Sequence, residues 1–159
     1  MNRLKSVGDK SGYTMMLKVI NAIGGRDLKY NWLITNIEAY PQKTLKELDE
    51  SLYNYLTEKD YVFISNSDLL DILENNDFQW IWGVFSAIPV NYSIDEVLKY
   101  DLPYAEDNHD IYLDNNFVIQ HPLAEIEIVA FDSSGVHIVS KDIEICSKFK
   151  TIYPDATEN

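Results

Sequence analysis

The chain has 159 residues, a net charge of −13 and 46% apolar and 13% aromatic residues. Three Trp and eleven Tyr exclude a disordered acidic tail and predict one folded domain with an acidic surface. The charge excludes nucleic acid and anionic membranes as partners and favours basic surfaces.

The charge is unevenly placed. Residues 60–140 hold fifteen carboxylates and a single base, Lys99, whereas the first 29 residues hold six Lys and Arg against Asp9 and Asp27. Cys146 has no partner for an intrachain disulfide, which fits a reducing compartment. Lys18 interrupts the apolar run Met15-Met16-Leu17, and residues 80–90 are too short to span a bilayer. A soluble, cytoplasmic protein is expected.

In chain order, residues 1–10 are polar and read as loose. Tyr13, Met16, Leu17, Ile20 and Ile23 recur at helical spacing, with Gly24-Gly25 as the C-cap. Tyr30 to Tyr40 alternates and is aromatic and β-branched, a strand closed by Pro41. Leu45, Leu48, Leu52, Tyr55 and Leu56 predict a helix, Tyr61 to Ile64 a short strand, and Ser67 onward a short helix with Asp68 and Asp71 in its early turns. Residues 78–88 are apolar on both faces, as in a central strand, and strict alternation puts Phe78, Trp80, Trp82 and Val84 together on one of them. Ser93 and Glu96 form a capping box for a helix through Tyr100. Residues 101–122 read as irregular. Ala124 to Phe131, the turn Asp132-Ser133-Ser134-Gly135 and Val136 to Ser140 make a hairpin, and Lys141 to Tyr153 a closing helix. This order predicts a single α+β domain, with a mixed or mostly antiparallel sheet and helices packed on it.

The candidate site is the acidic loop. Asp101, Glu106, Asp107, Asp110 and Asp114 lie within fourteen residues, interleaved with Tyr104 and Tyr112 and preceded by Tyr100. Tyr supplies anchoring area and the carboxylates steer, so the pattern suits docking on a basic protein partner; a merely solvated loop is the plainer alternative. The same oxygens fail as a calcium loop, because no Gly lies between Gly83 and Gly135. His109, His121 and His137 have no metal-ligand spacing. His121 reads as a loop end, His137 as a strand residue and Cys146 as a core thiol. Gly8-Asp-Lys-Ser-Gly12 lacks the order of a phosphate loop, and no nucleophile elbow is present. Glu125 and Glu127, two apart, fall on one face of a strand. No metal and no cofactor is expected, and Trp80 and Trp82 are read as core.

Three segments carry a resemblance: Tyr30-Asn-Trp-Leu-Ile34 leading to Glu38-Ala-Tyr-Pro41, Phe78-Gln-Trp-Ile-Trp-Gly83, and Ile119-Gln-His-Pro-Leu-Ala-Glu-Ile-Glu127. Over roughly residues 17–153 the chain resembles a family of small, acidic, uncharacterised proteins of Gram-positive bacteria, some of them immunity-like neighbours of toxins. The resemblance implies a soluble intracellular binding module and carries over no catalytic residue. The expectation is an immunity-type inhibitor that neutralises a basic partner such as a toxin nuclease. The alternatives are a small hydrolase with a site built from acidic loop residues, or a non-catalytic adaptor.

Overall fold

A computed structural model of the chain describes residues 2–7, 14–40, 60–75, 79–106 and 117–158. Its strands are β1 (Asn2–Val7), β2 (Tyr30–Tyr40), β3 (Tyr61–Ser65), β4 (Gln79–Pro89), β5 (Ile126–Phe131), β6 (Gly135–Ser140) and β7 (Thr157–Glu158). Its helices are α1 (Met16–Ile23), α2 (Asn66–Asn75), α3 (Ile94–Val97) and α4 (Ile143–Ile152), with a 3-10 turn at Gly25–Asp27. The strands form one antiparallel sheet in the order β3-β2-β4-β5-β6-β1-β7. Residues 2–7, taken from the sequence as part of a loose start, pair with β6 and β7. The helix expected over residues 45–56 lies outside the described residues.

Alternation sorts the strands' side chains onto two faces. One face meets α1, α2 and α4: Trp32 and Ile34 of β2, Phe85 and Ala87 of β4, Ile128 of β5 and Ile138 of β6 pack on Ile20, Leu70 and Phe149. Cys146 is buried in this layer, as the periodicity predicted. One polar side chain pins the layer: Asn66 accepts the indole N–H of Trp32 at 2.9 Å and donates to the Gly25 carbonyl at 3.0 Å. Gly24, at φ 151°, ends α1 with its N–H on the Ile20 carbonyl. An exposed Arg26 bridges to Asp71 (2.8 Å) and Glu74 (2.6 Å) on α2; at such exposure the pairs add little to stability.

The two tryptophans depart from strict alternation. Glu38 pairs with Trp82 and Ala39 with Trp80, so Ile81 is an extra residue on β4, a bulge that turns the strand by one position. Trp80 therefore joins the helix-side core, with its ring 4.8 Å from Phe85 at 79°. Trp82 lies on the opposite face, edge-on to Phe131 at 5.0 Å. Gly83 makes the first packing possible, since a Cβ there would sit 3.0 Å from Phe85 and 3.2 Å from Trp80. The β5–β6 turn folds back on the bulge, with the Ser133 N–H on the Ile81 carbonyl at 3.0 Å. Asp132 (φ 46°) and Ser133 (φ 61°) are both left-handed, as a primed hairpin turn requires.

A second bulge, on β2, sets Asn36 at φ 51°. It turns the Asn36 side chain toward residues 105–106 of the connection between β4 and β5, whose described parts cover the sheet face opposite α1, α2 and α4.

Candidate functional site

The covering connection starts at α3. Its capping box forms as predicted: the Glu96 N–H donates to Ser93 Oγ (3.3 Å) and the Ser93 N–H to Glu96 Oε2 (2.9 Å). The Ser93 N–H, and the Ser93 hydroxyl donating to the same Oε2 at 3.0 Å, hold the Glu96 carboxyl below its ordinary range. Two arms follow, residues 101–106 and 117–124. Val97, Leu102, Ala105, Phe117, Ile119 and Ala124 lie on Leu33, Val84, Ile88, Val129 and Val139 of the sheet.

Polar pins fix the arms' backbone. The Thr35 hydroxyl donates to the Pro103 carbonyl at 2.7 Å. Asn36 Oδ1 accepts the N–H groups of Ala105 (2.9 Å) and Glu106 (2.7 Å). Gln120 joins one arm to the other: its Oε1 accepts the Tyr104 N–H and its Nε2 donates to the Tyr104 carbonyl, both at 2.9 Å.

Beneath Gln120 lies Glu127 of β5, 1% exposed and paired across the sheet with Ser86 and Val139. Its Oε2 accepts the Ser86 hydroxyl at 3.2 Å and the Gln120 N–H at 3.1 Å. Desolvation pushes this carboxyl up to about 7, against hydrogen bonding from the Gln120 and His121 backbones and Ser86, which favours the carboxylate. Its Oε1 has no well-aligned partner among the described residues.

His121 is fully buried. Its Nδ1 accepts the Leu123 N–H at 3.3 Å, so Nε2 carries the proton and donates to the Val97 carbonyl at 3.1 Å. Burial lowers its pKa, while the bond to Val97 works against that. His121 thus ties the second arm to α3, with the Tyr100 ring edge-on at 5.5 Å. His137 of β6 is buried between the rings of Phe117 and Phe131, each 5.0 Å away.

Among the sequence-predicted site residues, Asp101, Tyr104 and Glu106 are exposed on the first arm. Asp107, Asp110, Tyr112 and Asp114 lie outside the described residues. Tyr100 and Tyr104 are 42% and 43% exposed, and Leu98 and Val118 are exposed beside them. The described residues contain no group of three or more His, Cys, Asp or Glu placed to hold a metal. Glu125 and Glu127, expected on one strand face, are separated. Glu125 precedes β5 and accepts the Tyr30 hydroxyl at 2.8 Å, and Tyr30 packs against the helix-side core. Desolvation, reinforced by Glu125, pushes the Tyr30 phenol up to about 12.

Sequence reasoning missed the pins: Thr35, Asn36, Ser86, Gln120 and Glu127. A signal existed for one of them. Ser86 interrupts the run 80–88, which is otherwise apolar on both faces, so a central strand must bury it, whereas Glu127 follows Glu125 in an alternating run and reads as an exposed face. The arrangement gives one protonatable carboxyl poised near neutrality but sealed from solvent, beneath an exposed surface of Tyr and carboxylates.

No helix among the described residues is long and apolar enough to cross a membrane. Comparison of the chain with family models, with curated proteins and with solved structures finds no match.

Proposed function

We propose that the protein is a small acidic binding module that docks a basic protein partner through its first arm, as an immunity-type inhibitor of a toxin such as a nuclease. The observation that carries this reading is the pinned display of Tyr100 and Tyr104, each more than two-fifths exposed. Around them stand the exposed carboxylates of Asp95, Glu96, Asp101 and Glu106, with Lys99 as the one base between residues 60 and 140. Tyr presented on a fixed backbone loses little side-chain entropy on binding, and the carboxylates raise the association rate toward a positive cleft. Nuclease clefts are positive because they bind phosphate. A cytoplasmic location, and no engagement of nucleic acid or membrane, belong to the same reading. The hydrolase alternative places its site on the acidic loop residues, of which Asp101 and Glu106 are described and stand exposed, while the buried carboxyl of Glu127 lies beneath Gln120 and away from any open site. Binding is therefore the better-supported function.

Affinity capture from the native host tests this with two baits, wild type and the triple variant Asp101→Asn, Tyr104→Ala, Glu106→Gln. A basic protein retained by the wild type at low salt, and lost with the variant or at high salt, supports the reading. Identical captures by the two baits overturn it.

A further inference from the structure

Glu127 is the only carboxylic acid among the described buried residues, and its bonds lead outward to the proposed docking surface. Ser86 holds it from the sheet, it holds the Gln120 N–H, and the Gln120 side chain holds the Tyr104 backbone at both its N–H and its carbonyl. Lifting the arms would break this chain of bonds and bring the carboxyl into water.

We propose that Glu127 is a proton-operated latch for the two arms, buried as the neutral acid while they lie on the sheet and released to solvent as the carboxylate when they lift. Ionised under the arms, Glu127 has only the Ser86 hydroxyl and the Gln120 and His121 backbones as donors, and no cation among the described residues compensates it. From β4 the facing side chain is Ser86, flanked by Val84 and Ile88; from β6 it is Val139, with His137 two residues along; from β2, across β4, it is Leu33. From the arms come the N–H groups of Gln120 and His121. Among the described residues, then, the titratable neighbours are the two buried histidines, and neither is a fixed positive charge. A buried carboxyl in such surroundings favours its protonated form.

The closed form binds the Glu127 proton more tightly than the open form does. The contribution of Glu127 to closure is therefore strongest in acid and weakens as the pH rises from the ordinary carboxylate range, 4.5, through about 7. His121 acts the other way: burial lowers its pKa, so its protonation in acid favours lifting. Comparing variants at the same pH cancels the histidine. The latch makes the display of Tyr100 and Tyr104 responsive to pH near neutrality. Only this last link, from the arms to a partner, rests on the proposed function.

The test is hydrogen exchange on the full chain, wild type and Glu127→Gln, at about pH 6 and about pH 8. The reporters are the amides of Tyr104, Ala105 and Glu106, bonded to Gln120 and Asn36; the controls are Ile128 and Val129 of β5. The ratio of wild-type to variant opening at the reporters should rise roughly tenfold between the two pH values, at opening frequencies well above those of the controls, which exchange only by global unfolding. A ratio that stays constant, or controls that open together with the reporters, overturns the latch. Should Glu127→Gln fail to fold, Ser86→Ala carries the test alone. It keeps the acid but removes one donor to the carboxylate, so its reporter opening must keep rising above pH 7 after the wild type has levelled off, and an unchanged profile overturns the proposal. No partner is needed, so a flat exchange ratio leaves the capture experiment standing, and a failed capture leaves the latch standing.

Discussion

Glu127→Gln should stabilise the protein against global unfolding at alkaline pH relative to acid, in proportion to the charge it removes. Burial raises the carboxyl from 4.5 to about 7 in the folded state. The stabilisation that comes from binding its proton is fully present below the unfolded value and is lost as the pH rises through the folded one. A tenfold difference in proton affinity between the two states is worth about 1.4 kcal/mol, so the full cost of ionising Glu127 in place is about 3 kcal/mol. Gln keeps an oxygen for the Ser86 hydroxyl and the Gln120 N–H but leaves a buried amide N–H₂, a penalty of about 1–3 kcal/mol that does not change with pH. The variant thus starts below or near the wild type in mild acid and gains on it as the pH rises. Urea unfolding from about pH 5.5 to about pH 8.5 should show the difference between the two moving by about 2 kcal/mol in favour of Gln, most of it before pH 7.5. A difference that is constant across the range would refute the reasoning, because it would mean that Glu127 has the same proton affinity folded and unfolded.

Trp80→Ala should cost about 3–5 kcal/mol in chemical denaturation, and Trp82→Ala clearly less, because Trp80 is 4% exposed in the helix-side core while Trp82 is half-buried on the other face; equal losses would contradict the bulge at Ile81. Asn66→Ala should cost about 2–4 kcal/mol by leaving the Trp32 indole N–H and the Gly25 carbonyl without their shared partner, and thermal unfolding would show it as a lowered Tm. At about 150 mM salt, fluorescence anisotropy should detect no micromolar binding to random duplex DNA or RNA, because the net charge of −13 repels phosphate.

The regular elements were legible because their signals are local. β2 runs from Tyr30 to Tyr40 as the alternation predicted, the capping box marks α3, and the left-handed pair Asp132 and Ser133 sits where the turn residues cluster. β1 was not legible. Its segment is short and polar, and it becomes a strand only because β6 and β7 flank it, a fact about the rest of the chain. The bulge at Ile81 was equally hidden, because a period-two pattern assigns faces only where the register is continuous. At the candidate site, the exposed Asp101, Tyr104 and Glu106 were found by composition. The pins beneath them were not, because Thr35, Asn36, Gln120 and Glu127 come from three separate segments and are ordinary residues in each.

The two faces of the sheet are sealed by different physics, and this difference ties the fold to the proposed activity. On the helix side, contact is almost wholly apolar and Asn66 is the main polar tie, so that layer opens only when the domain unfolds. On the other side, the arms bury Val97, Ala105, Phe117 and Ala124 on Leu33, Val84, Ile88, Val129 and Val139, and are held besides by directed bonds at Thr35, Asn36, Gln120 and Glu127. Directed bonds can be exchanged for water one group at a time, at about 1 kcal/mol each, whereas a packed helix layer cannot be peeled away so gradually. On the proposed latch, the arms are the part of the protein that opens without global unfolding, and the same connection displays Tyr100 and Tyr104. Placing an ionisable group, rather than a Gln or a Leu, under the more easily opened of the two layers is what makes that opening depend on a proton.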